Sequence, residues 1–296
     1  GADMIRPKVT RKFAEAFAPA GFKAEAFLAS YGLAEATLAV SFAPVGRGIE
    51  VDVVDEIKLA HQNEAVAPTT NSDGTEPVGR EFVDCGVPMP DYELQIRDED
   101  DQPMEDRRVG KIFVKGPSVM SGYYLDPEAT ARVLDQDGWL DTGDMGYRVR
   151  KSLSIVGRMK DLIILNGRNH WPQDIEWAVE QIEGLRSGDA AAFSLPGAGD
   201  EEVATILVQC RISAVDERLS LIAEIKRRVH EAVSIICHVA LVRPRTLPRT
   251  SSGKLSRTKA RANYLSGLLE PLEGSDLPPW AKVAREQPSA RTIAAS

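Results

Sequence analysis

The 296-residue sequence lacks the features that mark several large classes of protein. Its three cysteines, Cys85, Cys210 and Cys237, lie far apart and form no CxxC pair, which predicts reduced thiols in a cytoplasmic protein and no zinc site. No apolar run approaches the roughly 18 residues that a membrane span needs. The net charge of −8 argues against broad nucleic-acid binding, which needs clustered positive charge.

A phosphate-binding P-loop is also missing, although a Gly-Lys pair occurs in "PRTSSGKLSR", residues 248–257. A P-loop needs Gly five residues before its Gly-Lys pair and Ser or Thr directly after it, and this stretch has Pro248 and Leu255 at those places. The Thr, Ser and Gly before Lys254 predict a mobile loop. We therefore expect the Lys254 ammonium to act on some other anionic group.

The residues that are present indicate a globular α/β protein. Hydrophobic residues make up 43% and charged residues 27% of the chain, as in ordinary globular domains. A change of texture near residue 160 predicts two domains, 1–159 and 160–269. Residues 43–80, polar and rich in Pro and Gly, predict a mostly exposed insertion around one short strand. Residues 270–296 predict a disordered tail.

Alternating and 3.6-residue hydrophobic patterns locate the main elements. Asp126 is a predicted helix N-cap, and Pro172 opens a helix whose apolar face includes Ile175 and Val179. Strands are predicted at 93–97, 111–115, 162–165, 190–194, 203–210 and 239–242, a hairpin at 146–158, and further helices at 219–233 and 257–269.

Three further stretches carry residue types suited to nucleotide chemistry. In "YGLAEAT", residues 31–37, an aromatic ring precedes a tight turn and a carboxylate, Glu35, of the kind that holds Mg²⁺. In "GWLDTGDMGY", Asp144 lies on a turn where it can accept hydrogen bonds from a ribose diol. In "GRMKDLIILNGRNHWPQDIE", Arg158, Lys160 and Arg168 flank an apolar strand. Each stretch alone also fits a purely structural role: a strand end, a turn or a solvated basic edge.

Together and in this order, these stretches and "PRTSSGKLSR" resemble four motifs of the adenylate-forming superfamily of acyl ligases. The resemblance covers residues 1 to about 269. It implies the end of a large N-terminal domain, with mixed sheets and a β-rich subdomain, followed by a small α+β C-terminal lid domain. It also implies ATP and Mg²⁺ as cofactors and a carboxylic acid as substrate.

The resemblance implies a role for each matching residue. Glu35 would bind Mg²⁺, and Lys254 would be the catalytic lysine over the acyl carboxylate and the α-phosphate. Lys160 falls at the interdomain hinge of the family. The implied nucleotide-site residues are Asp3 beside the adenine edge, Tyr31 on the adenine, Gly32 and Leu33 lining the nucleotide and acyl sites, Ala34 where many members have Thr, and Asp144 and Arg158 at the ribose.

Two features favour the fatty acyl-AMP ligase branch, which passes acyl groups to an acyl carrier protein or a polyketide synthase carrier domain. These are the "LNGRNHWPQDIE" segment and the long stretch after Thr37, which resembles that branch's insertion and has a tolerated surface loop as its alternative interpretation. Two alternatives remain: a long-chain acyl-CoA ligase, and a noncatalytic carrier-protein-docking module. The superfamily's phosphate loop has no match here, so we expect a C-terminal part of the enzyme that is inactive alone.

Overall fold

The computed structural model describes residues 4–69, 79–197, 202–250 and 253–276. The chain forms two compact units, residues 1–160 and 161–296. Mixed helices and strands make up both units, in agreement with the predicted α/β class. Among the helices in the described ranges, none combines the length and the apolar character that a bilayer-spanning helix requires.

The largest sheet of the first unit has four antiparallel strands in the order β6-β7-β8-β9. Alternating apolar residues form these strands, and Leu94, Ile96, Ile112 and Leu153 point into one buried cluster. The strands are β6 (Glu93–Arg97), β7 (Gly110–Lys115), β8 (Leu140–Val149) and β9 (Ser152–Arg158).

The rest of the first unit consists of short elements around this sheet. Two small sheets have the orders β1-β2-β5 and β3-β4. As predicted, the Asp126 side chain caps one of the helices by accepting a hydrogen bond from the Ala129 amide. The elements are α1 (Pro7–Phe17), β1 (Ser30–Tyr31), β2 (Ser41–Phe42), β3 (Val51–Asp55), α2 (Glu56–Gln62), β4 (Gly79–Val83), β5 (Val87–Pro88) and α3 (Pro127–Val133).

The described part of the predicted insertion, residues 43–69, contains the predicted short strand and also several buried residues. Strand β3 pairs with β4, and α2 follows directly because the Asp55 side chain accepts hydrogen bonds from two amides of its first turn. Val54, Leu59 and Ala65 are buried. These three buried residues anchor the segment. Its sequence is mostly polar and gave no signal of their burial. Residues 70–78 of the predicted insertion lie outside the described residues.

The second unit is built on a three-stranded sheet with the order β12-β13-β14. Strand β12 (Ala190–Pro196) runs antiparallel to β13 (Glu202–Gln209), and β13 runs parallel to β14 (Cys237–Val242). Helix α5 (Val215–Val233) makes the crossover that the parallel pair needs. The other elements are the hairpin of β10 (Ile163–Leu165) and β11 (Arg168–His170), helix α4 (Pro172–Val179) and helix α6 (Arg257–Leu265).

Both faces of this three-stranded sheet are covered, so its strands are almost continuously apolar. One face packs against α4 and α5, with Ile206 and Val208 meeting Ile175 and Ile225. The other face packs against α6 around Phe193 and Tyr264, among others. The two-residue period of β13 explains why successive side chains enter different clusters.

The predicted disordered tail is wrong for residues 270–276. The amide of Leu272 donates to the Leu241 carbonyl at 2.7 Å, and the amide of Asp276 donates to the Val239 carbonyl at 2.9 Å. The Asp276 carboxylate also contacts Lys226 at 2.5 Å. These residues therefore hydrogen-bond to the edge strand β14 without forming a strand of their own. Residues 277–296 of the predicted tail lie outside the described residues.

Candidate active site

A buried carboxylate, Asp144 on strand β8, lies at the centre of the candidate nucleotide site. The Tyr31 hydroxyl donates to Oδ2 of Asp144 at 2.9 Å, and Nε of Arg158 donates to Oδ1 at 3.0 Å. Asp144 and Tyr31 are both 8% exposed, whereas the Arg158 side chain is 50% exposed. The register of β8 and β9 places Asp144 opposite Arg158, so the sheet itself aligns the ion pair. Tyr31 reaches this cluster from the end of strand β1.

Burial and the neighbouring Asp144 charge determine the ionisation of this cluster. Burial raises the pKa of Tyr31 well above its usual value, and Asp144 raises it further. The hydroxyl therefore stays protonated and serves as a donor at neutral pH. Thr142, which the sequence interpretation quoted but did not assign, accepts from the Asp144 amide at 3.2 Å and donates to the Ile112 carbonyl at 2.8 Å. It stabilises an irregular part of strand β8, between Asp141 and Met145, so Asp144 lies in a strand and not on the turn expected from the sequence.

The segment after Tyr31 makes two tight turns. At Gly32 a Cβ atom would lie only 1.8 Å from the Leu38 carbonyl oxygen, so no larger residue fits without moving the backbone. Leu33 precedes a short 3₁₀ turn, Ala34–Ala36. Thr37 then adopts φ 68° and ψ −60°, and the Leu38 amide donates to the Ala36 carbonyl at 2.8 Å, which is a γ-turn. A β-branched residue rarely has this backbone conformation.

The Glu35 carboxylate is partly exposed and accepts a hydrogen bond from Tyr123. The Tyr123 hydroxyl lies 2.9 Å from Oε1 of Glu35. Burial raises the pKa of Tyr123, and the hydrogen bond and charge of Glu35 raise it further. The backbone carbonyl of Glu35 accepts from the Met120 amide at 2.7 Å, which holds the turn. The sequence interpretation did not identify Tyr123, because 88 residues separate it from Glu35.

The described residues contain no group of three or more histidine, cysteine, aspartate or glutamate side chains arranged to bind a metal ion. A single carboxylate such as Glu35 nevertheless suits Mg²⁺ at a nucleotide. Magnesium usually binds one or two carboxylates and takes its other ligands from water and phosphate oxygens. The described residues therefore fit a site in which a carboxylate shares the ion with water and phosphate oxygens.

The lysine stretch of the second unit forms a hydrogen-bonded hairpin around Lys254. The Thr250 amide donates to the Lys254 carbonyl at 2.8 Å, and the Ser256 amide donates to the Pro248 carbonyl at 3.0 Å. Gly253 has φ 84° and its amide donates to the Thr250 carbonyl at 2.9 Å. These bonds give the described residues on either side of residues 251–252 backbone partners, and the mobility of the loop stays a prediction. The Lys254 side chain is exposed and forms no hydrogen bond or ion pair within the described ranges.

The remaining predicted residues lie outside these clusters. Lys160 belongs to the 3₁₀ turn Met159–Asp161, at the point where the first unit ends. Arg168 begins strand β11. Asp3 lies outside the described residues. The structure thus brings Tyr31, Asp144 and Arg158 together, keeps Gly32, Leu33, Ala34 and Glu35 on one adjoining segment, and places Lys254 in the other unit.

Comparison with known families matches both parts of the chain. Residues 1–124 match the family described as AMP-binding enzyme. Residues 160–273 match the family described as Disco-interacting protein 2-like, AMP domain. Two models of AMP domains thus match successive parts of the chain.

Several similar proteins have names that describe enzymes acting on acyl groups. The chain is 50% identical over 268 residues to a putative acyl-CoA synthetase of Caulobacter vibrioides, covering 90% of this chain and 46% of the relative. It is 33% identical to the medium-chain-fatty-acid–[acyl-carrier-protein] ligase JamA of Moorena producens, covering 92% and 48%. A solved structure from a study of fatty acyl-adenylate ligases of E. coli and L. pneumophila superposes with a TM-score of 0.82 at 40% identity, covering 90% of this chain and 47% of that one. The chain therefore spans about half the length of the proteins it matches.

Proposed function

We propose that this chain is part of a fatty acyl-AMP ligase, which joins a fatty acid to AMP and then transfers the acyl group to a carrier-protein thiol. In the first step a carboxylate oxygen attacks the α-phosphorus of ATP and pyrophosphate leaves. In the second step the phosphopantetheine sulfur attacks the acyl carbonyl, loses its proton and releases AMP. The hydrogen-bonded cluster of Tyr31, Asp144 and Arg158 is the observation that carries this proposal.

In that proposal Asp144 binds the ribose. A carboxylate has about four acceptor positions, so it can accept from Tyr31, Arg158 and a diol together. The two protein donors fix the plane of the carboxylate before the nucleotide arrives, which lowers the ordering cost of binding. Half of Arg158 remains exposed and can support the ribose side. The Tyr31 ring, held by its hydroxyl, is the proposed adenine platform, with Gly32, Leu33 and Ala34 beside it and Asp3 at the adenine edge.

Glu35 is the proposed protein ligand for Mg²⁺, which would neutralise phosphate charge when bound. The hydrogen bond from Tyr123 engages Oε1 and so orients the carboxylate. This arrangement resembles other sites in which an outer hydrogen-bond donor orients a metal-binding carboxylate.

Lys254 is the proposed catalytic residue of the adenylation step. Attack of a carboxylate on ATP brings two anions together, and an ammonium near their junction stabilises the charge. At about 4 Å and an effective dielectric constant near 20, one unit charge contributes on the order of 4 kcal/mol. The hairpin presents an exposed ammonium without a competing partner in the described residues. Lys160 is the proposed hinge through which the second unit brings the lysine to the site.

The acceptor for the acyl group is a carrier-protein thiol in this proposal, with coenzyme A as the alternative. The name of JamA and the "RNHWPQDIE" segment favour a carrier protein, whereas the name of the Caulobacter relative favours coenzyme A. Packing of residues 43–69 into the first unit weakens the case for a separate insertion that blocks CoA use. The noncatalytic docking module is the third alternative.

The three free, buried cysteines support a reducing compartment, the cytoplasm.

A comparison of acceptors tests this function in the longer ligase, in which a segment with the phosphate loop precedes this chain. We expect fatty-acid-dependent exchange of pyrophosphate into ATP, acyl transfer to phosphopantetheinylated carrier protein, and stalling at acyl-AMP with coenzyme A. Formation of acyl-CoA would establish the second candidate. Carrier-protein binding without any pyrophosphate exchange would establish the third. The present chain alone should show no exchange, because its sequence contains no phosphate loop.

A further inference from the structure

We propose that Arg257 is a positioning residue that links the Lys254 hairpin rigidly to Asp161, the residue that follows the proposed hinge. This role rests on the proposed ligase function and adds a residue that acts through Lys254. All the residues involved belong to the second unit.

One guanidinium connects three separate parts of that unit. Arg257 donates from Nε and one terminal nitrogen to the two carboxylate oxygens of Glu176, both at 2.7 Å. Its other terminal nitrogen donates to Oδ2 of Asp161 at 2.8 Å. The side chains are largely buried, with exposed fractions of 18% for Arg257, 6% for Glu176 and 9% for Asp161. Glu176 also accepts from the Ala192 amide at 3.0 Å, which ties the cluster to strand β12.

The Lys254 hairpin is joined directly to this cluster. Ser256, the neighbour of Arg257, closes the hairpin through its bond to the Pro248 carbonyl, and Leu255 pairs with Arg249. Leu255 also packs on the cluster beneath α6. A shift of the hairpin relative to residue 161 must therefore break bonds of the guanidinium or of the hairpin. We infer that the lysine moves with the start of its unit as one body.

A rigid link has a catalytic consequence because reacting groups tolerate little displacement. A misplacement of about 1 Å can cost about 100-fold in rate even when it arises far from the chemistry. Only a planar guanidinium can bind one carboxylate through two bonds and reach a second carboxylate at the same time. The residue therefore acts through Lys254 and does not itself need to contact substrate.

Asp161→Ala is the informative variant, because it removes the link to residue 161 and keeps the bidentate Arg257–Glu176 pair. Hydrogen–deuterium exchange on the 296-residue chain provides the first measurement. We expect the hairpin amides of Gly253, Lys254 and Ser256 to exchange at least fivefold faster in this variant. Asp161→Asn, which keeps an acceptor oxygen, should restore most of the protection.

Glu231→Ala provides the matched control, because it removes one acidic partner of an arginine on the exposed face of α5. Hairpin exchange should not change in that variant. Unchanged exchange in Asp161→Ala would overturn the proposed link. Since this measurement needs no catalytic activity, it separates failure of the link from failure of the proposed ligase function.

The longer ligase provides the second measurement. Asp161→Ala should lower kcat for adenylation at least tenfold with little change in the KM for ATP, and should spare acyl transfer from supplied acyl-AMP. Combined with Lys254→Ala, it should add no further loss, because both changes remove the same contribution. Independent, multiplying losses, or equal losses in both half-reactions, would show a merely structural role and overturn the proposal.

Discussion

Two arginines of the second unit, each paired with two carboxylates, allow a direct test of how burial sets the energy of an ion pair. Arg257 binds Glu176 and Asp161 in the interior, whereas Arg227 binds Glu224 and Glu231 on the surface of α5. The Arg257 side chain is 18% exposed and that of Arg227 is 51% exposed. Replacement of each by Met removes the same charge and the same number of partners.

We expect Arg257→Met to lower the free energy of unfolding by about 3–5 kcal/mol, because it leaves a buried carboxylate without its counter-charge. Arg227→Met should lower the free energy of unfolding far less, since water solvates both of its partners. The loss arises because the buried carboxylate of Glu176 no longer has a cation beside it. Burial already raises the pKa of Glu176, against the opposing effect of Arg257 and the Ala192 amide. Replacement of both Arg257 and Glu176 by Met should therefore recover part of the loss.

Native-state hydrogen exchange of the β13 amides measures this free energy within the second unit alone. Since β13 is the central strand, its slowest amides report the global opening of that unit. A difference of several kcal/mol between the two Met variants is the expected result. Equal losses in the two variants would refute the role assigned to burial.

Three further perturbations test the candidate site and the second unit. Gly32→Ala would place a Cβ atom 1.8 Å from the Leu38 carbonyl oxygen, so we expect a backbone shift and a higher KM for ATP. An unchanged KM for ATP in the longer ligase would contradict this prediction. Tyr123→Phe removes the donor to Glu35 and should raise the Mg²⁺ concentration for half-maximal rate several-fold, with unaltered Mg²⁺ dependence as the opposing result. Burial favours the neutral form of Asp189, but hydrogen bonds from Arg211 and a backbone amide lower its pKa below the usual value. As pH falls below about 4, the unfolded state binds the proton first and stability decreases. Asp189→Asn should flatten that part of the acid unfolding curve, and a curve of unchanged slope would refute this.

Local patterns in the sequence predicted the regular strands well. The strand at Glu93–Arg97 has the predicted bounds, because an alternating strand beside a charged turn contains its own signal. The predicted helix at 257–269 ends earlier, at Leu265, where Gly267 with φ 80° follows. The buried contacts of residues 43–69 could not be predicted because they involve distant partners: Arg107 and Tyr147 both bind Asp52 of β3.

The residues of the candidate site also fall into two groups: those within recognisable sequence motifs, and those brought together from distant parts of the chain. Asp144 and Arg158 lie only 14 residues apart on neighbouring strands, within two motifs that the sequence displays. Tyr123 meets Glu35 across 88 residues, and Arg257 meets Asp161 across 96. Contacts of that range arise from the packing of segments far apart in the chain, which a single sequence does not reveal. Arg257 ends the lysine motif, and that position was the one available signal for its role.

Replacement of Lys254 is the measurement that tests the central claim most directly. In the longer ligase, Lys254→Ala should lower the rate of acyl-AMP formation by about 1000-fold, which corresponds to the roughly 4 kcal/mol expected of one ammonium. Lys259→Ala, the same change on an exposed lysine of α6, provides the control and should leave the rate unchanged. Acyl-AMP formation at the wild-type rate in Lys254→Ala would contradict the proposed mechanism.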